Sequence, residues 1–409
     1  MHYDVAVIGA NGIQGKIVSR DLLTSGCAVL LCALDRYGLD SILDHDRAAF
    51  ATIDIRETEL LRQELRNAGV RMVVNCALDD FNLEVMQLAL ELGLHYIDLG
   101  SEVAMYRQQQ KLHQAFVDKD RLAISGIGST PGISNIMLRY LLPRFDTIET
   151  VHLGFAWTSN LPVFVPPFSI DAIAYEFGEP ATIFENGEFV EKSPEEPTGI
   201  TYDYRGIGPQ LTCYTKHIEH HTFVDFLHDR GIKNVVVYSS FPPHSYTTLK
   251  QLLALGLLSK NPVTVDGKTV RPLDYTTEVL RRIPVPPGYT EKEVIWLKVF
   301  GKKAGQQKCE EMDCLAGTLP GWEDATCNID TGFPVSILAQ MILHGKIPAR
   351  GFYSPESVVP PLPFFAELIR RKLMIYDNGK ELPAETVVPH AAPRLVSAAG
   401  VAPLELAGP

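Results

Sequence analysis

Gly9, Gly12 and Gly15 follow the apolar run Val5 to Ile8 and open an amphipathic stretch from Ile13 to Leu23. A strand that runs into such a turn and then a helix suits the pyrophosphate of a dinucleotide. Gly9 permits the tight turn, Gly12 lets backbone N–H groups reach the phosphates, and Gly15 lets the helix pack close to the sheet. The spacing is GxxGxxG rather than GxGxxG, with Asn11 and Ile13 completing the cofactor-facing turn. Asp35 ends the second β-rich run, where a carboxylate grips the adenosine ribose hydroxyls and disfavours a 2′-phosphate. Arg36 beside it is the residue type that welcomes such a phosphate, so NAD is slightly favoured and NADP stays open. Asp54, ending the third run, is placed to accept from the adenine amine or to cap a turn.

Further groups lie at the ends of later runs. Asn75-Cys76-Ala77 ends the fourth, and small residues there allow the cofactor a close approach. Cys76 reads as a small buried residue before it reads as a redox thiol. Asp98 ends the fifth, near the expected nicotinamide, and suits a substrate amine, a ribose or a helix cap. The sixth ends in a loop from Gly126 to Gly132. There Gly128 would face the cofactor, and Ser129 or Thr130 would cap a helix with Pro131 in its first turn.

Positioning these groups requires alternating strands and helices. Strands are expected at Val5–Ile8, Ala28–Leu34, Phe50–Ile55, Arg71–Ala77, His95–Asp98 and Leu122–Ser125. Helices are expected at Ile13–Leu23, Glu57–Asn67, Asn82–Leu92 and Val103–Lys119. This alternation specifies an α/β fold, a Rossmann doubly wound parallel sheet. From about Thr147 the pattern becomes irregular and proline-rich. Strands are expected at Thr147–Trp157, Phe164–Phe168, Ala181–Val190, Gln210–Tyr214, Asn234–Ser239 and Glu293–Gly301, with helices at Asp171–Phe177 and Leu249–Leu257. That is an inserted α+β second domain with a mixed or antiparallel sheet. Helical patterns return at Val335–Leu343 and Phe364–Leu373. The expected division is a dinucleotide-binding domain at 1–132, a substrate and dimerisation domain at 133–330, a C-terminal return at 331–384 packing on the first domain, and a poorly ordered tail at 385–409.

The 409 residues allow two cores, and a formal charge of −12 argues against nucleic acid or anionic membranes as partners. Asp4 and the glycine turn interrupt the first apolar run, so no signal peptide is expected, and no stretch approaches a membrane span. The seven cysteines form no CxxC and the twelve histidines no HExxH, so no metal is expected, and a reducing cytoplasmic compartment fits.

The glycine turn, VVNCA, HYIDLGSE and SGIGSTPGISNIM together resemble the saccharopine dehydrogenase-like reductases. The likeness continues through PPFSIDAIAYEF, YTKHIEHHTF and DYTTEVLRRIPVPPG to CNIDTGFPVSILAQMILHGKI and YSPESVVPPLPFFAELIRRKLMI, covering residues 4–378 in order. It implies a homodimer in which NAD(P) exchanges hydride with a carbon bearing nitrogen, in a small amine or amino-acid substrate of lysine or saccharopine type. It also nominates a His and Glu two residues apart, here His217 and Glu219. In a strand their side chains would share one face. His217 is expected as acid/base, with Glu219 or Lys216 as a partner for substrate charge; the alternative is a histidine-rich surface strand. Ser129, Thr130, Tyr214 and Arg205 are candidates for binding substrate. Many members carry an Asp where this chain has Ser129-Thr130. That departure leaves two other readings: a non-catalytic NAD(P)-binding regulator, and a homospermidine-synthase-like transferase that keeps its NAD bound.

Overall fold

A computed structural model describes residues 2–100, 102–166, 168–193 and 196–383. The expected tail at 385–409 lies outside them. Val5–Ile8 forms a fully buried strand, with Val29–Ala33 on one side and Met72–Asn75 on the other, both parallel to it. The complete parallel sheet runs Gly351–Tyr353, Leu122–Ile124, His95–Asp98, Met72–Asn75, Val5–Ile8, Val29–Ala33, Ala48–Thr52. The strand order reverses beside Val5–Ile8, which opens the crevice where such sheets bind ligands. The third strand sits two residues earlier than expected, because Ala48 rather than Phe50 begins the register with Val29. The expected helix Val103–Lys119 is two helices, Val103–Gln110 and His113–Asp118. The break brings His113 Nδ1 to 3.0 Å from the Phe352 carbonyl on the seventh strand.

Among the described residues the second sheet is mixed and has nine strands. Its centre is a long antiparallel pairing of Thr147–Ser159, Glu291–Lys303 and Gln306–Gly317, with Asn234–Ser240 added parallel to the first. The expected strand Ala181–Val190 is a hairpin, Ala181–Glu185 and Glu188–Lys192, because Asn186 and Gly187 both take positive φ and reverse the chain. The expected strand near Phe164–Phe168 does not form in its described residues. Helix Ile133–Leu141 starts after Gly132, whose N–H donates to Asn135 Oδ1 at 2.7 Å. Neither Ser129 nor Thr130 caps it, and Pro131 precedes it.

The C-terminal return belongs to both sheets. Helix Ile329–Leu343 begins six residues earlier than expected and tolerates Pro334 inside it. It packs on the glycine-turn helix Ile13–Thr24, while Gly351–Tyr353 extends the parallel sheet. Met374–Asp377 instead pairs with Gln306–Gly317 in the mixed sheet. Arg371 clasps Asp21 of the glycine-turn helix with three contacts of 2.8–3.0 Å, both side chains being nearly buried. One hydrophobic core runs from Val5 and Val29 through Ile133 and Leu153 to Phe333 and Phe365, so the two sheets share an interior.

The turn itself depends on absent side chains. A Cβ on Gly9 would sit 2.9 Å from Cys76 and Ala77 backbone atoms, and φ there is +73°. A Cβ on Gly15 would overlap the Gly9 carbonyl oxygen and lie 2.7 Å from Ala10 Cα. Gly15→Ala is therefore expected to destabilise the fold by about 1–3 kcal/mol and to abolish dinucleotide binding. Thermal unfolding with and without NADH checks this; a variant with wild-type melting and a wild-type NADH shift would refute it.

Candidate active site

The cofactor cradle is built from three strand ends. Gly9 and Ala10 N–H both donate to the Cys32 carbonyl, and Cys76 N–H donates to that of Ile8, which draws the turns together. A Cβ on Gly12 would meet only the Gly9 carbonyl, at 3.2 Å, so the outer side of the turn is open. Ile13 is half exposed above it. Asn11 Nδ2 donates to Asp35 Oδ1 at 3.1 Å, and Asp35 Oδ1 also accepts from Tyr37 N–H at 2.9 Å. These bonds hold the Asp35 carboxylate at the edge where a ribose would lie. Arg36 lies 5.9 Å from the Phe50 ring centre. Asp54 is turned to Arg56, accepting from its backbone N–H and its guanidinium, which hold the carboxyl down at about 2. It serves the turn rather than an adenine. Burial, then the Asp98 carboxylate, pushes the half-buried Cys76 thiol up to about 12, which argues against the redox reading. The open glycine turn, with Asp35 at the far edge, fits a dinucleotide.

At the other end, Gly128 lies against the return helix: its Cβ would stand 3.1 Å from Thr331 Cγ2. Thr331 Oγ1 donates to Ser129 Oγ at 3.1 Å, and Thr130 Oγ1 is buried without a partner among the described residues. Asp98, expected as a catalytic residue, is fully buried. Its carboxylate accepts from Gly100 N–H (2.9 Å), Gln109 Nε2 (2.6 Å), Ser125 Oγ (2.6 Å) and Gly126 N–H (3.3 Å). It holds the loops after two strands and has no face left for a substrate.

His217 and Glu219 do come together, by a different route from the one expected. Strand pairing stops at Tyr214, and Glu219 begins helix Glu219–Leu227. The turn between brings His217 Nδ1 onto Glu219 Oε2. Glu219 Oε1 accepts from Ser134 Oγ at 3.1 Å, which orients the carboxylate. On its other side, His217 Nε2 faces Glu176 Oε1 at 3.9 Å. Burial alone would lower the imidazole, but Glu219 and then Glu176 outweigh it and hold it at about 9. Burial raises Glu176 to about 7. The row Glu219–His217–Glu176 thus carries one cation between two carboxyls, the outer of which exchanges its proton near neutrality.

Glu176 was not read from the sequence. It sits on helix Ile170–Gly178, which a bare helical pattern could only place, and tertiary packing brings it to His217. Buried Asp330 and half-buried Glu293 were missed for the same reason; desolvation raises both, Asp330 and then Glu291 adding to the rise at Glu293, while at Asp330 hydrogen bonds to Glu293 and Thr331 work against it. Lys216 pairs with Glu179 and lies 4.3 Å from the centre of the Tyr175 ring. Tyr214 packs with Tyr238 and Trp296 on the opposite sheet face from Trp157 and Glu293, and Arg205 pairs with Asp313 at 2.7 Å. These two cannot receive substrate at the row.

A dinucleotide cradle at the switch point of a parallel sheet, closed by a second domain that brings an acid–base row, defines an NAD(P)-binding oxidoreductase. The saccharopine dehydrogenase NADP binding domain matches residues 5–124, and the saccharopine dehydrogenase C-terminal domain matches residues 128–373. The chain belongs to the saccharopine dehydrogenase family. It is 24% identical over 386 residues to a carboxyaminopropylagmatine dehydrogenase of Synechocystis, covering 89% of this chain and 94% of that one. Its fold is similar to apo saccharopine dehydrogenase (L-Glu forming) from Saccharomyces cerevisiae, with a TM-score of 0.70 at 13% identity over 93% of this chain and all of that one.

The raised imidazole gives a stability prediction. A base whose folded value exceeds the ordinary 6.5 contributes stability that is fully present below that value and lost as pH rises through about 9. Glu219→Gln removes the main raising influence, so the His217 titration should fall by more than one unit when followed by NMR. An unchanged titration would show that Glu219 does not set it.

Proposed function

We propose that the protein catalyses hydride transfer between NAD(P) and the carbon of a C–N bond in a small amine or amino-acid conjugate. The observation that carries this is the buried Glu219–His217–Glu176 row beside the crevice. When bound, the nicotinamide accepts or supplies the hydride. The second domain excludes water from the reacting carbon, and Ser134 and Glu219 hold His217 in one orientation. Glu176 receives the nitrogen's proton in the oxidising direction and returns it in the reducing one. His217, kept cationic, stabilises the Glu176 carboxylate once the proton has left. In this reading Glu176 supplies the carboxyl that the Asp absent before Pro131 would otherwise provide, which argues against the non-catalytic alternative. A conjugate of lysine or of another amine with a carboxyalkyl group fits both the family and the relative's printed substrate.

Amine oxidation needs Glu176 ionised and His217 protonated. The kcat/KM for oxidation should therefore rise through about pH 7 and fall through about pH 9. Glu176→Gln should abolish the acid limb and lower kcat about 100-fold or more. The assay is NADH formation over a panel of lysine, saccharopine-type, carboxyalkylated agmatine and polyamine-type substrates. Net NADH accumulation also separates a dehydrogenase from a transferase. A Glu176→Gln enzyme with the wild-type pH profile would remove Glu176 from the mechanism.

We further propose NAD over NADP, supported by the Asp35 carboxylate that Asn11 and Tyr37 hold at the ribose edge. Asp35→Ala should weaken NADH binding about tenfold, the worth of one to two hydrogen bonds, and affect NADPH less. Fluorescence titration checks it, and tighter wild-type binding of NADPH than of NADH would overturn the preference.

A further inference from the structure

Helix Glu219–Leu227 carries a second, fully buried imidazole, His220, that the mechanism does not use. Its place is set by the mixed sheet. Strand Asn234–Ser240 pairs along one edge with Thr147–Ser159 over its whole length. The other edge is divided, since Ala181–Glu185 meets it at Val235 and Cys213–Tyr214 at Tyr238 and Ser239. Val237 falls between these two pairings, and its N–H donates to His220 Nε2 at 2.9 Å. Across the ring, His220 Nδ1 stands 3.0 Å from the His217 carbonyl oxygen.

These two contacts fix the proton. A backbone N–H can only donate, so Nε2 is bare; a carbonyl can only accept, so Nδ1 carries the hydrogen. A second proton on Nε2 would set two donors against each other. Burial pulls this imidazole down to about 3; the bond to the His217 carbonyl works against the fall, and His217 and His221 add to it. Arg107 and Asp225 stand further out and act on His221. The strand contributes apolar Val235 and Val237 to the same core as Phe223 and Leu227 of the helix. His220 thus stays neutral wherever the row works.

The turn held in this way is the one that presents His217. Before it, Thr215 Oγ1 donates to Ser239 Oγ at 2.6 Å, and Lys216 N–H donates to the Glu176 carbonyl at 3.4 Å. After it, the Ile218 carbonyl accepts from His221 and Thr222 N–H as the helix begins. His220 secures the carbonyl of His217 itself. The 3.9 Å separation of His217 Nε2 from Glu176 Oε1 therefore depends on main chain that His220 ties to the sheet.

We propose that His220 is a positioning residue, a neutral imidazole protonated on Nδ1 that fastens the His217 main chain to strand Asn234–Ser240 and so sets the gap between His217 and Glu176. This rests on the reading of that pair as the acid–base groups of C–N hydride transfer, and it names what holds them in place.

The test begins with nitrogen-15 NMR of the histidine-labelled, NAD-loaded enzyme without substrate. His220 should show a protonated Nδ1 and a bare Nε2, unchanged from about pH 5 to about pH 10. His220→Leu removes both bonds, so His217 should titrate at lower pH, and kcat should fall about tenfold or more with KM little changed. His220→Gln, which keeps one donor and one acceptor, should recover part of both. If His220→Leu fails to fold, His220→Asn, long enough for one partner only, decides by the same two readouts. A wild-type His220 protonated on Nε2 would overturn the proposal. So would a lowered melting temperature in the Leu or Asn variant with the His217 titration and kcat of the wild type, which marks a merely structural residue. Failure of the wild-type enzyme to turn over any C–N substrate would refute the proposed reaction, while the tautomer and the His217 titration, both read without substrate, would still decide what His220 holds.

Discussion

The return helix Ile329–Leu343 reaches the glycine-turn helix only because residue 332 has no side chain. A Cβ there would stand 2.7 Å from Ile17 Cβ. That approach fixes the distance between the dinucleotide turn and the helix's N-terminal end, which carries Asp330 and Thr331. Gln14 Nε2 donating to Asn328 Oδ1 at 3.1 Å, and Asp21 held by Ser336 and Arg371, keep the two helices in register. Since the same core continues into the mixed sheet, the reacting end of the crevice is a packed junction with little freedom to shift. A site that must hold a carbon within reach of a nicotinamide gains from such rigidity.

Within that junction, electrostatics divides the labour among carboxyls of one type. Asp98 receives four hydrogen bonds and acts as a fixed anchor for loops. Glu219 has a serine and an imidazole and serves to orient. Glu176 lacks a full set of partners, so burial pushes it to about 7, where a proton can come and go. The difference lies in the number of donors each one meets, since residue type and burial are similar.

Much of the first domain was legible because its elements rest on local signals. Buried parallel strands read as continuous apolar runs, and the glycine spacing encodes a backbone approach that side chains would block, as Gly9 and Gly15 bear out. Element boundaries were less legible. The Asn186-Gly187 turn, flanked by Glu185 and Glu188, splits a stretch that reads as one strand by its apolar ends, and the break before His113 brings it to a bond with Phe352 far along the chain. The pairing of His217 with Glu219 was expected through strand alternation, yet a turn into a helix produces it. Two neighbours in sequence can meet by several backbone routes, so spacing alone does not say which.

The sequence by itself determined the dinucleotide-binding half, the family and the cofactor class, because these depend on residue types at short spacing and on a likeness that runs along the chain. Only the tertiary structure decided which carboxyls meet at the junction. Glu176, Glu293 and Asp330 come from segments more than a hundred or a few tens of residues apart, and nothing local distinguishes them from other acidic residues. Proton affinity is set by burial, by the donors within reach and by nearby charges, and each of these exists only once the two sheets and the return helix have closed on one another.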